Sequence, residues 1–530
     1  MNIAGFLCAI LISPFVLIST LAEDIYITQT ASGGNTGVDS TNAHSLTWFN
    51  SSANWGAGVN KVSPGDTVHL CGTFTAAAGG TLLNVPASGV TNNVVTIVFE
   101  PNAVLEAPYF AQYYGGLRIP DGRHDIKIDG GVNGVIRHTD MGSTNSGKTY
   151  RSFSAYGIYI AGCTNIEISN LTITNIFVNT GGDNPNSADD TGKNTAGIQL
   201  SHDLRNVSIH NCRVSNARSG IGGGPSGNLW DGLMIYSNVI SDNCFSIGIG
   251  SGSETNTRVI NLDIHDNDIS NWTLWQFPGG PHSPVDTYHT DGLILFANSM
   301  SVDSYCSGMF RNNYVHGNLG SGSPTAYVSL GCSVRDFYVF NNVFNCETNA
   351  NVGVWINNSA SCAGYAAKTP TNNFILNNTF IGPTNYPKSL GNIAFVVGGT
   401  NTLFENNIIY QYYVAFRLDS NLSSDYNILS TDYAKTGTTL SAWRALGYDA
   451  HSLTNVNPLL DQAFAPIAGS PAITGGIDLS GLGRSQLSTD KAGNPRGVPW
   501  GIGAYVLDGR RLRPPFLLEP SLVPFPIKSR

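Results

Sequence analysis

Charge is scarce in this chain of 530 residues: Asp, Glu, Lys and Arg together make up 12%. The 27 basic residues form no cluster, and 36 acidic ones leave a net charge of −9. Phosphate backbones are held by grouped Lys and Arg, so no nucleic-acid partner is expected. Helical periodicity is equally scarce. Apart from a short stretch at Leu440-Ser-Ala-Trp-Arg-Ala-Leu446, no segment repeats apolar residues at helical spacing, which excludes a bundle or a helical repeat. The one long apolar run, Ile3 to Ala22, is uncharged, broken by Pro14 and ends Thr20-Leu-Ala22. It lacks a basic flank, but its small-residue ending reads as a signal peptide over residues 1–22 that leaves no membrane span behind. A secreted, extracellular monomer is expected. Cysteines never occur as CxxC, which argues against a zinc site. The eight beyond the leader suggest disulfides in an exported chain. Cys346 with Cys362, and Cys306 with Cys332, are the nearest neighbours and the expected pairs.

What the chain has in abundance is glycine, 60 residues, and a repeat. The clearest copy is Asp336-Phe-Tyr-Val-Phe-Asn-Asn-Val-Phe-Asn-Cys346. Alternating apolar residues mark a strand with one buried face, and the paired asparagines mark a turn that accepts unusual backbone angles. With Val339 as anchor, equivalent anchors are Ile128, Ile168, Ile209, Ile235, Ile264, Phe310, Ile375 and Phe404. Asparagine follows at 170, 211, 238, 267, 313, 378 and 407. A first strand precedes each copy, anchored at Leu117, Ile158, Ile198, Ile221, Ile247, Leu293, Val328, Val354 and Phe395. A unit of two strands and a turn cannot bury its apolar face alone. Stacked copies can, with parallel strands about 4.8 Å apart. The expected architecture is all-β, a parallel β-helix in a single solenoid.

Its parts read as an N-terminal cap with first coils over 23–115, repeats over 116–425, C-terminal coils and a closing segment over 426–506, and a Pro- and Arg-bearing tail over 507–530. Pro64-Gly-Asp-Thr-Val68, the Asn-Asn turns, and the ending from Ser470-Pro-Ala-Ile473 to Ile502-Gly-Ala-Tyr505 together resemble secreted right-handed parallel β-helix proteins of the pectin-lyase-like superfamily. The resemblance spans roughly residues 60–505 and implies the fold more than the reaction, because that superfamily holds lyases, hydrolases, epimerases and non-enzymatic adhesins.

Function is sought where the coils are interrupted. Three long insertions, 138–153, 178–195 and 271–290, fall just before a first strand, so they would fence one edge of the stack. Between the second and third lie two bare coils whose outward positions include Gly222 and Gly248. Glycine in a strand marks either tight packing or the close approach of a ligand. A floor without side chains between two walls suits a long, flat polysaccharide. Arg118, Tyr159 and Gln199 point outward from earlier first strands, and Arg218 precedes the first bare coil. The third insertion offers Trp272, Trp275, Phe277 and Tyr288, which either stack on sugar faces or pack the loop down. It also brings Asp286, His289 and Asp291 together at a loop-to-strand junction, the parts of general acid–base chemistry. The second offers Asp190 and Lys193.

Two reactions fit. In hydrolysis, one carboxyl protonates the leaving oxygen and a second activates water, roughly 6.5–9.5 Å away in an inverting pair; two coils span about 9.6 Å. Asp291 with Asp286 or Asp190 would be the pair, and no cofactor is required. Thr290-Asp-Gly292 resembles the Asn-Thr-Asp-Gly of polygalacturonase-like hydrolases with His289 in place of Asn, while their Asp-Asp pair and Gly-His-Gly segment have no counterpart here. In β-elimination, Lys193, Arg218, Arg118 and His289 would supply base and cation, with calcium as a candidate ion. Hydrolysis is placed narrowly ahead. A glycan-binding β-helix without catalysis is the third reading.

Overall fold

The computed structural model describes residues 22–111, 114–139, 155–176, 195–225, 229–251, 257–272, 290–297, 303–319, 326–347, 352–357, 369–383, 392–418, 420 and 422–507. Their strands form three sheets of 12, 14 and 13 strands, and consecutive neighbours in each are third neighbours along the chain through the body of the stack. Every strand pair in the three sheets is parallel. This is a parallel β-helix.

The first-strand anchors form one continuous ladder: Leu117, Ile158, Ile198, Ile221, Ile247, Leu293, Val328, Val354 and Phe395 are Cα partners in that order. The second-strand anchors do the same from Ile128 through Val339 to Phe404. Nearly every one of these side chains is fully buried, since a one-residue slip would turn a whole strand's apolar set outward.

A third sheet follows the asparagine turn, where only a single apolar residue marked the sequence. Its ladder runs Leu105, Ile136, Ile173, Val214, Ile240, Ile269, Val315, Phe344, Phe380 and Ile409. Most of its strands have three residues, such as Thr172–Thr174 and Val343–Asn345. That length carries one inward side chain and no readable alternation.

The turn asparagines divide into two kinds. Asn170 and Asn211 lie at φ +60° and +54°, as do Asn341, Asn377 and Asn406 near +50° to +57°, in the left-handed region that Asn tolerates. Asn238, Asn267, Asn313, Asn342, Asn378, Asn407 and Asn427 sit one position further on and are buried. Each of the first six donates its Nδ2 to the carbonyl of a second-strand anchor in the preceding coil, as Asn342 does to Phe310 at 2.9 Å. Each also reaches the Oδ1 of the next asparagine, Asn342 to Asn378 at 2.9 Å. The ladder satisfies backbone groups that the corner would otherwise bury without partners.

The closing segment packs along this same corner. Buried Arg496 donates to Asn341 Oδ1 at 2.7 Å and to the Gly503 carbonyl at 2.9 Å, and Asn377 Nδ2 donates to the Gly501 carbonyl. The short helix expected near Leu440 is present as Leu440–Ala445, capped by Thr439. The expected cysteine pairs are not. Cys306 and Cys346 are buried and take part in no disulfide, while Cys332 is disulfide-bonded, so pairing by sequence proximity chose the wrong partners. Residues 1–21, nearly all of the expected leader, and 508–530 lie outside the described residues.

Candidate functional site

The first sheet's outer face carries the candidate site. Register places Arg118, Tyr159, Gln199, Gly222 and Gly248 on five consecutive rungs of one column, followed by Ile294. At about 4.8 Å per rung the five span about 19 Å. In most coils a glycine precedes the anchor and breaks the alternation, with Ser246, Tyr327 and Ala394 in its place in the others: a Cβ added at Gly292 would press on the Tyr327 carbonyl and on Val315, inside the helix. The preceding residue therefore stays on the outside. Tyr156, Ala196, Ser219, Phe245, Asp291 and Ala326 form this second outer column.

The two bare-coil glycines differ. A Cβ at Gly222 would lie 2.9 Å from Ser219 Cβ and 3.1 Å from the Gly248 carbonyl, so packing accounts for that glycine. At Gly248 the nearest atoms would be 3.5 and 3.7 Å away, ordinary contact. Among the described residues nothing demands glycine there, and the position leaves a bare floor. Beside it, a Cβ at Gly250 would collide with the Phe296 ring, so this ring covers the next outward position. Sequence reasoning passed over Phe296, although its alternation with Leu293 and Leu295 marked it as outward.

Arg218 and Asp291 flank Phe245. The Arg218 guanidinium lies 5.6 Å from the Phe245 ring centroid, and Phe245 and Asp291 are partners on adjacent rungs. Asp291 is fully buried, and its Oδ1 accepts from Ala326 N at 3.3 Å. Tyr159 faces outward but is 7% exposed and stacks on Tyr156 with centroids 5.6 Å apart. Gln199 is half-buried and donates to the Leu200 carbonyl. Arg118 lies over the Tyr114 ring at 4.4 Å.

Trp272 is not a sugar platform. It is fully buried, its Nε1 donates to the Asp291 carbonyl at 3.0 Å, and it packs on Tyr327 with centroids 5.7 Å apart. Desolvating its large ring in the corner holds the start of the Asp291 strand, which is a packing role. Asp286, His289, Asp190, Lys193, Trp275, Phe277 and Tyr288 lie outside the described residues.

The opposite edge holds a histidine–aspartate pair. His202, at φ +57°, bonds through Nδ1 to Asp121, two coils earlier. Gly162 lies on the intervening coil, where a Cβ would collide with Asp121 Oδ1. The pair is 81 residues apart in sequence, so only the coil stack brings it together.

No protein-family model matches the chain, and no curated protein sequence matches it. Among solved structures it is similar to a pectate lyase, at 12% identity and TM-score 0.43 over 92% of this chain and 97% of that one. A rhamnogalacturonan lyase has 12% identity and TM-score 0.43 over 73% and 87%. An exopolygalacturonase from Yersinia enterocolitica has 12% and 0.41 over 76% and 79%. The likeness is one of fold. It transfers no residue role and no substrate.

A charged cluster lies apart from the groove, on the third sheet. His316 Nε2 bonds to Asp268 at 2.9 Å, and Nδ1 faces Glu347 at 3.4 Å. Burial pulls its pKa down, but the Asp268 bond and the two carboxylate charges outweigh this and raise it overall. A raised folded pKa means stability fully present below the ordinary value of about 6.5 and lost as pH climbs through the raised one. Thermal unfolding of wild type and His316→Gln across that interval should therefore converge as pH rises. A constant difference between them would show that the imidazole's charge plays no part.

Proposed function

We propose that the chain is a secreted carbohydrate-active enzyme that lays a polysaccharide along the first sheet's outer face and cleaves it beside Asp291 by acid–base hydrolysis. The observation that carries this is the single column from Arg118 to Gly248. It ends on a glycine floor that packing does not require, beside Phe296 and the Arg218–Phe245–Asp291 edge. An extended line of donors, a guanidinium and a bare floor fits a linear polymer whose ring faces lie flat and whose hydroxyls need partners. Asp291 would act as one carboxyl; Asp286 or Asp190 would supply the other, with His289 as an acid–base partner. Arg118 on the column and Arg218 beside it favour β-elimination as the second reading, since their guanidinium groups could hold uronate carboxylates and stabilise the charge formed next to them. Calcium would belong to that reading.

The test is a polysaccharide panel followed by chromatography of the products, run on wild type and Gly248→Leu. A side chain at the half-buried position 248 should leave the unfolding midpoint within a degree or two, because a Cβ there meets only ordinary contacts at 3.5 and 3.7 Å and about 0.5 kcal/mol is the usual scale for a change that disturbs no packing. It should cut turnover at least about tenfold, the effect expected when substrate is lifted from its near-attack position. Saturated products indicate hydrolysis and unsaturated, ultraviolet-absorbing ones elimination. No product from any polymer, or full turnover in Gly248→Leu, would remove the groove from consideration.

A further inference from the structure

A second cavity lies on a different face. It has a volume of about 550 Å³ and sits between the third sheet, at Val343–Asn345, Thr379–Ile381 and Ile408–Tyr410, and the segment 457–467. That volume falls in the usual range for small-ligand sites, about 300–1,000 Å³.

Its walls combine three kinds of group. Phe464 and Tyr410 provide aromatic surface. Leu459 and Ile467, 37% and 44% exposed, leave apolar side chains open to water at the rim. Asn345, Gln411 and Asn457 provide amides. Glu347 provides a carboxylate, braced from behind by His316, on which Tyr314 stacks at 4.1 Å. Asp461 also lines the cavity, but its Oδ1 is engaged by the amides of Ala463 and Ala465 and folds the segment. Among the described residues no lysine or arginine lines it.

The backbone marks the same place. Non-glycine residues at positive φ in the described chain are nearly all Asn, Asp, Ser or His; the exceptions are Gln411, Tyr426, Leu459 and Phe464, and three of these four line the cavity. Bulky side chains in the left-handed region cost energy that the surroundings must offset. Here the cost accompanies a concave wall rather than a tight core.

We propose that this cavity is a second carbohydrate-binding site, selective for an uncharged sugar unit. Aromatic and aliphatic surface meets the C–H faces of a sugar ring, while the amides and the Glu347 carboxylate meet its hydroxyls. Two carboxylates, with no lysine or arginine among the described lining residues, disfavour an acidic sugar, because an added negative charge meets their repulsion while His316 is already paired with Asp268 and Glu347. The site does not depend on the groove reading. If both operate on one polymer, the second binding event becomes intramolecular and raises avidity without new contacts.

The test is calorimetric titration of the full chain with cellobiose, galactobiose and digalacturonate, on wild type, Phe464→Ala, Glu347→Gln and the groove variant Gly248→Leu. Binding of a neutral disaccharide at the cavity should weaken at least tenfold in Phe464→Ala and in the isosteric Glu347→Gln, and keep its affinity in Gly248→Leu. Glu347→Gln guards against misfolding of the aromatic variant, because it removes charge and keeps shape. Absence of neutral-disaccharide binding overturns the proposal, as does preference for digalacturonate. So does neutral binding that survives both cavity variants, or that is lost in Gly248→Leu, since either would place it elsewhere.

Discussion

Asp291→Asn is expected to lower turnover by about 10²- to 10⁴-fold, the range contributed by a positioned general acid or base, with folding unaffected. Asn keeps an oxygen where Asp291 Oδ1 accepts the Ala326 amide, so the strand start retains its hydrogen bond. What disappears is the proton-transfer capacity beside Phe245 and the Gly248 floor. Binding of the undegraded polymer should persist, since the column from Arg118 to Gly248 is untouched; kcat should fall far more than KM changes. Were turnover to stay within threefold of wild type, Asp291 would be a strand-end residue whose buried carboxylate serves the coil alone. Circular dichroism and the unfolding midpoint, measured on the same samples, separate lost chemistry from lost structure.

Asn342→Ala is expected to destabilise the β-helix by about 3–6 kcal/mol, from two or three buried polar groups left without partners at about 1–3 kcal/mol each. Asn342 Oδ1 accepts the Asn313 backbone amide at 2.9 Å and Asn313 Nδ2 at 3.1 Å, and its own Nδ2 donates to Phe310 and Asn378. All these groups are buried in the corner, so water cannot replace the lost side chain without opening it. The matched control is Asn211→Gly, on an exposed turn at φ +54°. Glycine adopts that angle freely, and the change should stay within about 0.5 kcal/mol. Urea midpoints followed by circular dichroism report both. A loss below about 1 kcal/mol in Asn342→Ala would mean that the ladder is ornamental to stability.

The two asparagine variants also show where sequence reading stops. Adjacent asparagines such as Asn341 and Asn342 look alike in the sequence. One spends its side chain on the closing segment and takes a left-handed backbone, while the other is a buried rung. The outward column was legible: Arg118, Tyr159, Gln199, Gly222 and Gly248 follow from alternation about correctly chosen anchors. Trp272 was not, because an aromatic residue at a loop end has the same signature whether it meets sugar or core. The His202–Asp121 pair was out of reach altogether, since its partners lie 81 residues apart and meet only through the glycine at 162.

What the amino-acid order determined by itself was the coil: which side chains point inward, and which residue lies above which, because both depend on a two-residue period that neighbouring residues display. What tertiary structure decided was everything set between coils at the corners. There the third sheet's strands are too short to show a period, and the fate of an asparagine, a tryptophan or a thiol depends on which distant backbone group reaches it.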